Sequence, residues 1–201
     1  MRLKSSFTKD LVEAGCDEVG RGCLAGPVVA AAVILPKKYR NKQLNDSKVL
    51  SREVREELRK EILRDALAWA VAEVSHTEID EINILNASFK AMHLALDQLK
   101  MMPQFLLIDG NRFKPYQEVP FECVIKGDGR YLSIAAASIL AKTYRDDLMQ
   151  QYALQFPGYG WETNVGYPTE EHRDGIRALG ITPFHRKTFQ LLPSQLELFE
   201  D

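Results

Sequence analysis

The chain has 201 residues, 45% hydrophobic and 27% charged, with a formal net charge of −2; this is the profile of an ordinary globular protein, long enough to bury a core as one domain. No apolar run approaches a membrane span, and Met1 to Asp10 lacks the apolar core of a signal peptide. The near-neutral balance excludes a globally basic nucleic-acid binder, so any such binding must come from local patches. Cys16, Cys23 and Cys123 form no CxxC pair, which points to a reducing, cytoplasmic compartment.

Residues 11–19 and 28–35 read as two strands, the second apolar on both faces and so interior to a sheet. Between them lies Asp17-Glu18-Val19-Gly20-Arg21-Gly22-Cys23. Acids at the inner end of a buried strand carry a large desolvation cost unless a cation neutralises them. Gly20 and Gly22 leave bare backbone on either side of Arg21, where a ligand can approach the main chain. A divalent ion on the acids with a phosphate or sugar against the glycines fits both features; a tight turn with acids on its rim fits them as well.

Residues 37–52 carry six basic side chains against Asp46 alone. Such a run is either a solvated loop or, through Ser47 and Lys48, a phosphate contact. Ser51 caps an expected helix ending near Asp65, with Val54, Leu58 and Ile62 at helical spacing. Residues 66–74 read as a third strand. A second helix follows, with Leu85, Phe89, Met92, Leu96 and Leu99 as its apolar stripe and His93 packed beside it.

Phe105 to Ile108 is a short apolar strand ending in Asp109-Gly110-Asn111. A strand reached by a helical crossover usually lies parallel in its sheet, and open α/β sheets bind ligands at the carboxyl ends of such strands. Asp109 is thereby placed beside Asp17, although an Asp before Gly is also the ordinary start of a turn. Residues 121–125 form another strand, and Asp128 precedes a long helix over 131–153. An acid there suits the helix dipole, and Ala135 to Ala137 allow close packing. Lys142 and Arg145 on this helix are placed to face a polyanion, and Phe184-His185-Arg186-Lys187 adds a second basic cluster. Tyr167, between Gly166 and Pro168 in a loop, reads as presented to a ligand, a buried tyrosine being the alternative.

Asp17-Glu18-x-Gly20-Arg21-Gly22, Asp46-Ser47-Lys48, Asp109-Gly110-Asn111, Lys126-Gly127-Asp128, Ser133-Ile134-Ala135-Ala136-Ala137-Ser138, Gly166-Tyr167-Pro168-Thr169 and His185-Arg186-x-Thr188-Phe189 together resemble bacterial ribonuclease HII, in order from Gly15 to Phe189. The resemblance implies an α/β, RNase H-like fold: a mixed five-stranded sheet flanked by helices, with a helical C-terminal part. It implies endonucleolytic cutting of RNA hybridised to DNA and of single ribonucleotides embedded in duplex DNA, in ribonucleotide removal and primer processing. By position, Asp17, Glu18, Asp109 and Asp128 match the family's metal-binding acids. Gly20, Arg21 and Gly22 match its sensor for the ribose 2′-hydroxyl, and Tyr167 its tyrosine at the RNA–DNA junction. Cys23 stands where proline is usual, which loosens the turn, and Val165 where lysine is common, which removes one backbone contact.

The residue types agree. Oxygen ligands without histidine or thiolate suit Mg²⁺ or Mn²⁺ rather than zinc. Four carboxylates suffice for two such ions about 3.5–4 Å apart, which clamp both oxygens of an in-line displacement and leave 3′-hydroxyl and 5′-phosphate ends. Asp17 and Glu18 are consecutive and so face opposite sides of a regular strand; either the strand ends or bulges there, or Glu18 acts through its backbone carbonyl. A monomeric catalytic domain over 1–189 is expected, followed by a tail over 190–201. In that tail Gln195, Leu196, Leu198 and Phe199 resemble the QLxLF peptide that docks bacterial replication and repair enzymes on the sliding clamp. A terminal helical turn packed on the enzyme itself is the alternative. A junction-cutting DNA nuclease and a non-catalytic hybrid binder are the rival functions, and the absence of GxxxxGK[ST] disfavours a phosphate-loop ATPase.

Overall fold

The computed structural model describes residues 3–44, 47 and 49–192; Asp46, Lys48 and the tail residues Gln195, Leu196, Leu198 and Phe199 lie outside the described residues. Five strands form one sheet: β1 (Glu13–Val19), β2 (Val28–Ile34), β3 (Ala68–Val74), β4 (Phe105–Asp109) and β5 (Phe121–Val124), in the order β3-β2-β1-β4-β5. β1 runs antiparallel to β2, and β2 to β3; β1 and β4 are parallel, as are β4 and β5. The mixed five-stranded α/β sheet expected from the sequence is therefore present. β2 is buried along its whole length, as its unbroken apolar run requires, while β3 alternates buried and exposed residues at the sheet edge.

Helices cover both faces. On one side α1 (Arg52–Asp65) and α4 (Leu132–Gln155) pack Leu58, Ile62, Ala136 and Ile139 against Val29, Ala31 and Val33. On the other, α2 (His76–Ile82) and α3 (Ile84–Asp97) pack Ile79, Ala87 and Ala91 against Ala14, Cys16 and Ala30. The short α5 (Trp161–Asn164) and α6 (Glu170–Leu179) form a separate cluster over the far part of α4, around Trp161, Tyr159 and Met149. α4 crosses β1 so closely that a Cβ on Gly15 would lie 2.3 Å from the Ser133 carbonyl carbon. Only glycine fits there.

Four local expectations change. The second helix is two helices, broken at Asn83, which adopts φ 66° and caps α3 by accepting from the amides of Leu85 and Asn86; the left-handed region is one that Asn tolerates. The buried face of α3 is Ala87, Ser88, Ala91, Met92, Ala95 and Leu96 rather than the stripe through Leu85, Phe89 and Leu99, because small residues let the helix settle closer to the sheet. Arg145 does not face a polyanion. It is fully buried and donates to the carbonyls of Pro27, Val165 and Ala25 at 2.9, 2.7 and 3.0 Å, and neighbouring Lys142 is paired with Asp146 at 2.7 Å. Nor is the run at 185–187 an exposed basic cluster, for His185 and Arg186 are both fully buried.

Among the described residues no helix is long and apolar enough to cross a membrane.

Candidate active site

β1 stays regular through both acids, pairing Asp17 with Ala31, Glu18 with Ala30 and Val19 with Val29. The strand neither ends nor bulges there, so alternation sends the two side chains to opposite faces. Asp17 shares the α4 face with Gly15; it is 6% exposed, accepts from the Glu18 amide at 2.7 Å and is hydrogen-bonded by the Ser138 hydroxyl. Glu18 instead enters a cleft of about 270 Å³, whose lining includes Arg21, Ser88, Asp109, Asn111 and Arg112. There it receives the Arg21 guanidinium at 3.1 Å.

Asp109 is the last residue of β4, one step beyond the pairing of Cys16 with Ile108, and so stands beside Asp17 at the carboxyl ends of two parallel strands. Its Oδ1 accepts from the Gly127 amide at 2.7 Å, and its charge acts on both Asp17 and Glu18. Asp128 is buried in a tight turn (Gly127–Gly129) just before α4, with Oδ1 accepting from the Gly129 amide at 2.9 Å. It is close enough to Asp17 to act on its charge.

The electrostatics follow from this crowding. Burial, then the charges of Glu18, Asp109 and Asp128, hold the Asp17 carboxyl well above the ordinary carboxylate range, against the opposing Ser138 hydrogen bond. Burial also raises Glu18, with Arg21 pulling it back. Among the described residues no three Asp, Glu, His or Cys side chains close into a ready metal cage. Each acid has a donor of its own: Asp17 the Glu18 amide, Glu18 the Arg21 guanidinium, Asp109 the Gly127 amide and Asp128 the Gly129 amide. The donor chemistry nevertheless fits a hard divalent cation, because every candidate ligand is oxygen and Asp17 is a buried acid pressed by three others.

The remaining candidates lie around these acids. Ser47 is buried, its hydroxyl 2.9 Å from that of Ser138, so it backs the residue that bonds Asp17. Gly22 opens onto empty space, while Gly20 serves the interior: at φ +93° its missing Cβ would fall 2.3 Å from Arg145 Nε. Arg21 is exposed over 51% of its side chain. Tyr167 is 37% exposed, and its hydroxyl lies close enough to the thiol of Cys23 for the two to interact. Cys23 is itself buried, with Sγ 3.8 Å from the Val165 carbonyl, so it ties this turn to the tyrosine loop instead of loosening it. Val165 adopts φ 44°, costly for a β-branched residue, and is held there by Arg145 on its carbonyl.

Sequence reasoning missed the side chains that join the glycine loop to the tyrosine loop. Arg186 donates to the carbonyls of Gly20, Arg21 and Gly26 at 2.6, 2.9 and 3.0 Å. The Leu24 amide donates to the Gly166 carbonyl at 2.8 Å. Arg145 spans both loops through Ala25, Pro27 and Val165. The available signal was glycine itself: Gly20, Gly26 and Gly166 all border the Arg145 side chain.

The sequence pattern of the family described as Ribonuclease HII matches residues 14–192. The chain is 65% identical over 187 residues to a ribonuclease HII of Parabacteroides distasonis, covering 93% of this chain and 94% of that one. It is 66% identical over 194 residues to that of Bacteroides fragilis, covering 96% of each. Among solved structures it resembles the PCNA:RNase HII complex from Archaeoglobus fulgidus, at 27% identity and TM-score 0.75 over 92% of this chain and 98% of that one. With an RNase H-like sheet carrying acids at the ends of its parallel strands, and a family match over almost its whole described length, this chain belongs to the ribonuclease HII family, endonucleases that cut the RNA of RNA–DNA hybrids.

Proposed function

We propose that this protein cuts on the 5′ side of single ribonucleotides embedded in duplex DNA as well as within continuous hybrids, leaving 3′-hydroxyl and 5′-phosphate ends. The observation that carries this reading is the meeting of three parts: acids at the ends of β1 and β4, the Gly20-Arg21-Gly22 turn, and Tyr167, the last two tied by the Leu24–Gly166 hydrogen bond of 2.8 Å. Asp17, Asp109 and Asp128 would hold the metal through their carboxylates and Glu18 through its backbone carbonyl, since the regular strand turns its side chain to the other face; in our reading the metal is two Mg²⁺ or Mn²⁺ ions. Bound there, such ions supply activation of water and neutralisation of charge on the departing oxygen.

The chain's own residues do the selecting. Arg21, half exposed and anchored on Glu18, offers its guanidinium to a phosphate beside the acids. Gly22, with nothing near its missing side chain, lets a ribose approach the backbone so that the 2′-hydroxyl is read by main-chain groups. The Tyr167 ring stacks on the sugar at the junction and admits only a strand deformed there. Phosphate and sugar contacts carry no base information, so sequence preference is weak. Ser47 acts from behind, through Ser138 on Asp17. The protein works as a cytoplasmic monomer in ribonucleotide removal and primer processing.

Asp109→Asn tests the assignment of the acids. The substitution keeps the Oδ1 acceptor for Gly127 and removes one charge, so hybrid binding and fold persist while cleavage falls by at least about 10³-fold. Substantial turnover of the variant in saturating Mg²⁺ would falsify an essential role for this carboxylate.

The tail motif Gln195-Leu196-x-Leu198-Phe199 supports docking on the replication clamp, and the archaeal relative was solved with PCNA. A labelled peptide spanning residues 193–201 should bind the cognate clamp with Kd on the order of micromolar, since a short segment loses energy on ordering. Replacing Leu198 and Phe199 with Ala should abolish this binding; an unbound wild-type peptide contradicts the proposal.

A further inference from the structure

We propose that His172, locked in one tautomer by His185 and Trp161, is a positioning residue that sets the Tyr167 loop for embedded-ribonucleotide recognition. The proposal rests on the reading of Tyr167 as the residue that meets the junction.

The hydrogen positions follow from the partners. His185 Nδ1 faces the backbone amide of Thr182 at 2.9 Å and must accept from it. The hydrogen of a neutral His185 therefore sits on Nε2, which points at His172 Nε2 at 3.1 Å. His172 Nδ1 faces the Tyr167 carbonyl at 3.0 Å. A carbonyl only accepts, so Nδ1 carries the hydrogen and His172 Nε2 is an acceptor. That nitrogen also receives the Trp161 Nε1 hydrogen at 2.9 Å. The reversed tautomer of His172 would set N–H against N–H at Trp161 and a lone pair against the carbonyl. Among the neutral forms this arrangement alone sets no N–H against an N–H and no lone pair against the carbonyl, with the one Nε2 lone pair of His172 shared between its two donors.

Both rings are fully buried, which makes an unmet hydrogen bond costly. Burial holds both below the ordinary histidine range, His185 at about 4 with His172 and His76 adding to the effect, while Arg173 presses on His172. Tyr159 packs its ring edge against both imidazoles. The pair is therefore neutral at neutral pH and acts as a rigid strut. It does not transfer a proton.

What the strut holds is the peptide of Tyr167. His172 lies in the first turn of α6, its amide on the capping hydroxyl of Thr169 at 3.2 Å. The Tyr167 carbonyl takes the imidazole and the Thr169 amide, at 2.8 Å, while the Tyr167 amide donates to Asn164 at 2.9 Å. One residue earlier the Gly166 carbonyl takes the Leu24 amide. Tyr167 is thus fixed on both sides, and its ring direction relative to the Gly20-Arg21-Gly22 turn is set from below by His172.

The test compares His172→Asn, whose amide can replace the donor at Nδ1, with His172→Gln, whose amide reaches only the Nε2 position. The readout is kcat/KM on a duplex with one ribonucleotide divided by kcat/KM on a continuous hybrid, with unfolding temperatures recorded for both variants. His172→Gln should lower that ratio about fivefold to tenfold, the worth of one lost hydrogen bond, and His172→Asn should largely keep it. Tyr167→Ala is run alongside. Its equal loss on both substrates would contradict the reading of Tyr167 itself; a selective loss there that His172→Gln does not reproduce overturns the strut. Should neither histidine variant fold, ¹⁵N NMR of the wild-type enzyme decides. Hydrogen on Nδ1 of His172 and on Nε2 of His185, unchanged from pH 8 to 6, is expected, and the opposite tautomer of His172 overturns the proposal.

Discussion

Asp17 is buried against three other acids, so the metal-free fold carries a charge it would be more stable without. Its carboxyl titrates higher in the folded than in the unfolded chain. The associated stability is therefore fully present below the ordinary value of 3.8 and is lost as pH rises through the folded value. Asp17→Asn should raise the melting temperature of the EDTA-treated protein at pH 7 by about 3–6 °C, on the order of 1–2 kcal/mol for a chain of this size. The gain should close as pH falls toward the ordinary carboxylate range. Mg²⁺ should then stabilise the wild type and leave the variant unmoved, as ligand linkage requires; calorimetry with and without the ion reads both effects. At this scale the acids were visible in the sequence, since strand, crossover and strand already put Asp17 and Asp109 at neighbouring carboxyl ends. Arg145, Arg186 and His172 were not. A polar side chain's destination is decided by what packs around it, and the three glycines that border the Arg145 side chain lie near it only in space.

The elements were recovered better than their faces. All five strands and the helix at 132–155 stand where hydrophobic runs placed them, because continuous apolar strands and a long helical period leave little choice. The buried face of α3 departs from the stripe of its large apolar residues because close packing on the sheet selects Ala87, Ala91 and Ala95, which spacing alone does not distinguish. The same closeness governs α4, which brings Ser138 to Asp17 only because Gly15 lets the helix approach β1. Gly15→Ala sets a methyl group against the Ser133 backbone, which cannot yield as a flexible side chain would. We expect a loss of about 1–3 kcal/mol in urea unfolding, together with reduced cleavage as α4 is displaced from Asp17. A variant of wild-type stability would show that the helix can shift without cost.

At the scale of the whole molecule, the proposed function draws the acids from the sheet and its neighbouring turns, and the selection from the Gly20-Arg21-Gly22 turn together with the Tyr167 loop beyond α4. Tyr167 lies some 150 residues from Asp17 in the chain, yet its loop is bound to the glycine turn through Leu24, Arg145 and the segment around Arg186. The proposed coupling of cutting to recognition through these hydrogen bonds predicts that the enzyme recognises a single ribonucleotide and not merely a hybrid helix. The most direct measurement is cleavage of an end-labelled duplex carrying one ribonucleotide, beside an all-DNA duplex of the same sequence, in Mg²⁺ and in EDTA. The account predicts one cut in Mg²⁺, immediately 5′ of the ribonucleotide, and none on the all-DNA duplex or in EDTA. Cutting of both duplexes alike, or no cut at the single ribonucleotide by enzyme that still degrades a continuous hybrid, would contradict it.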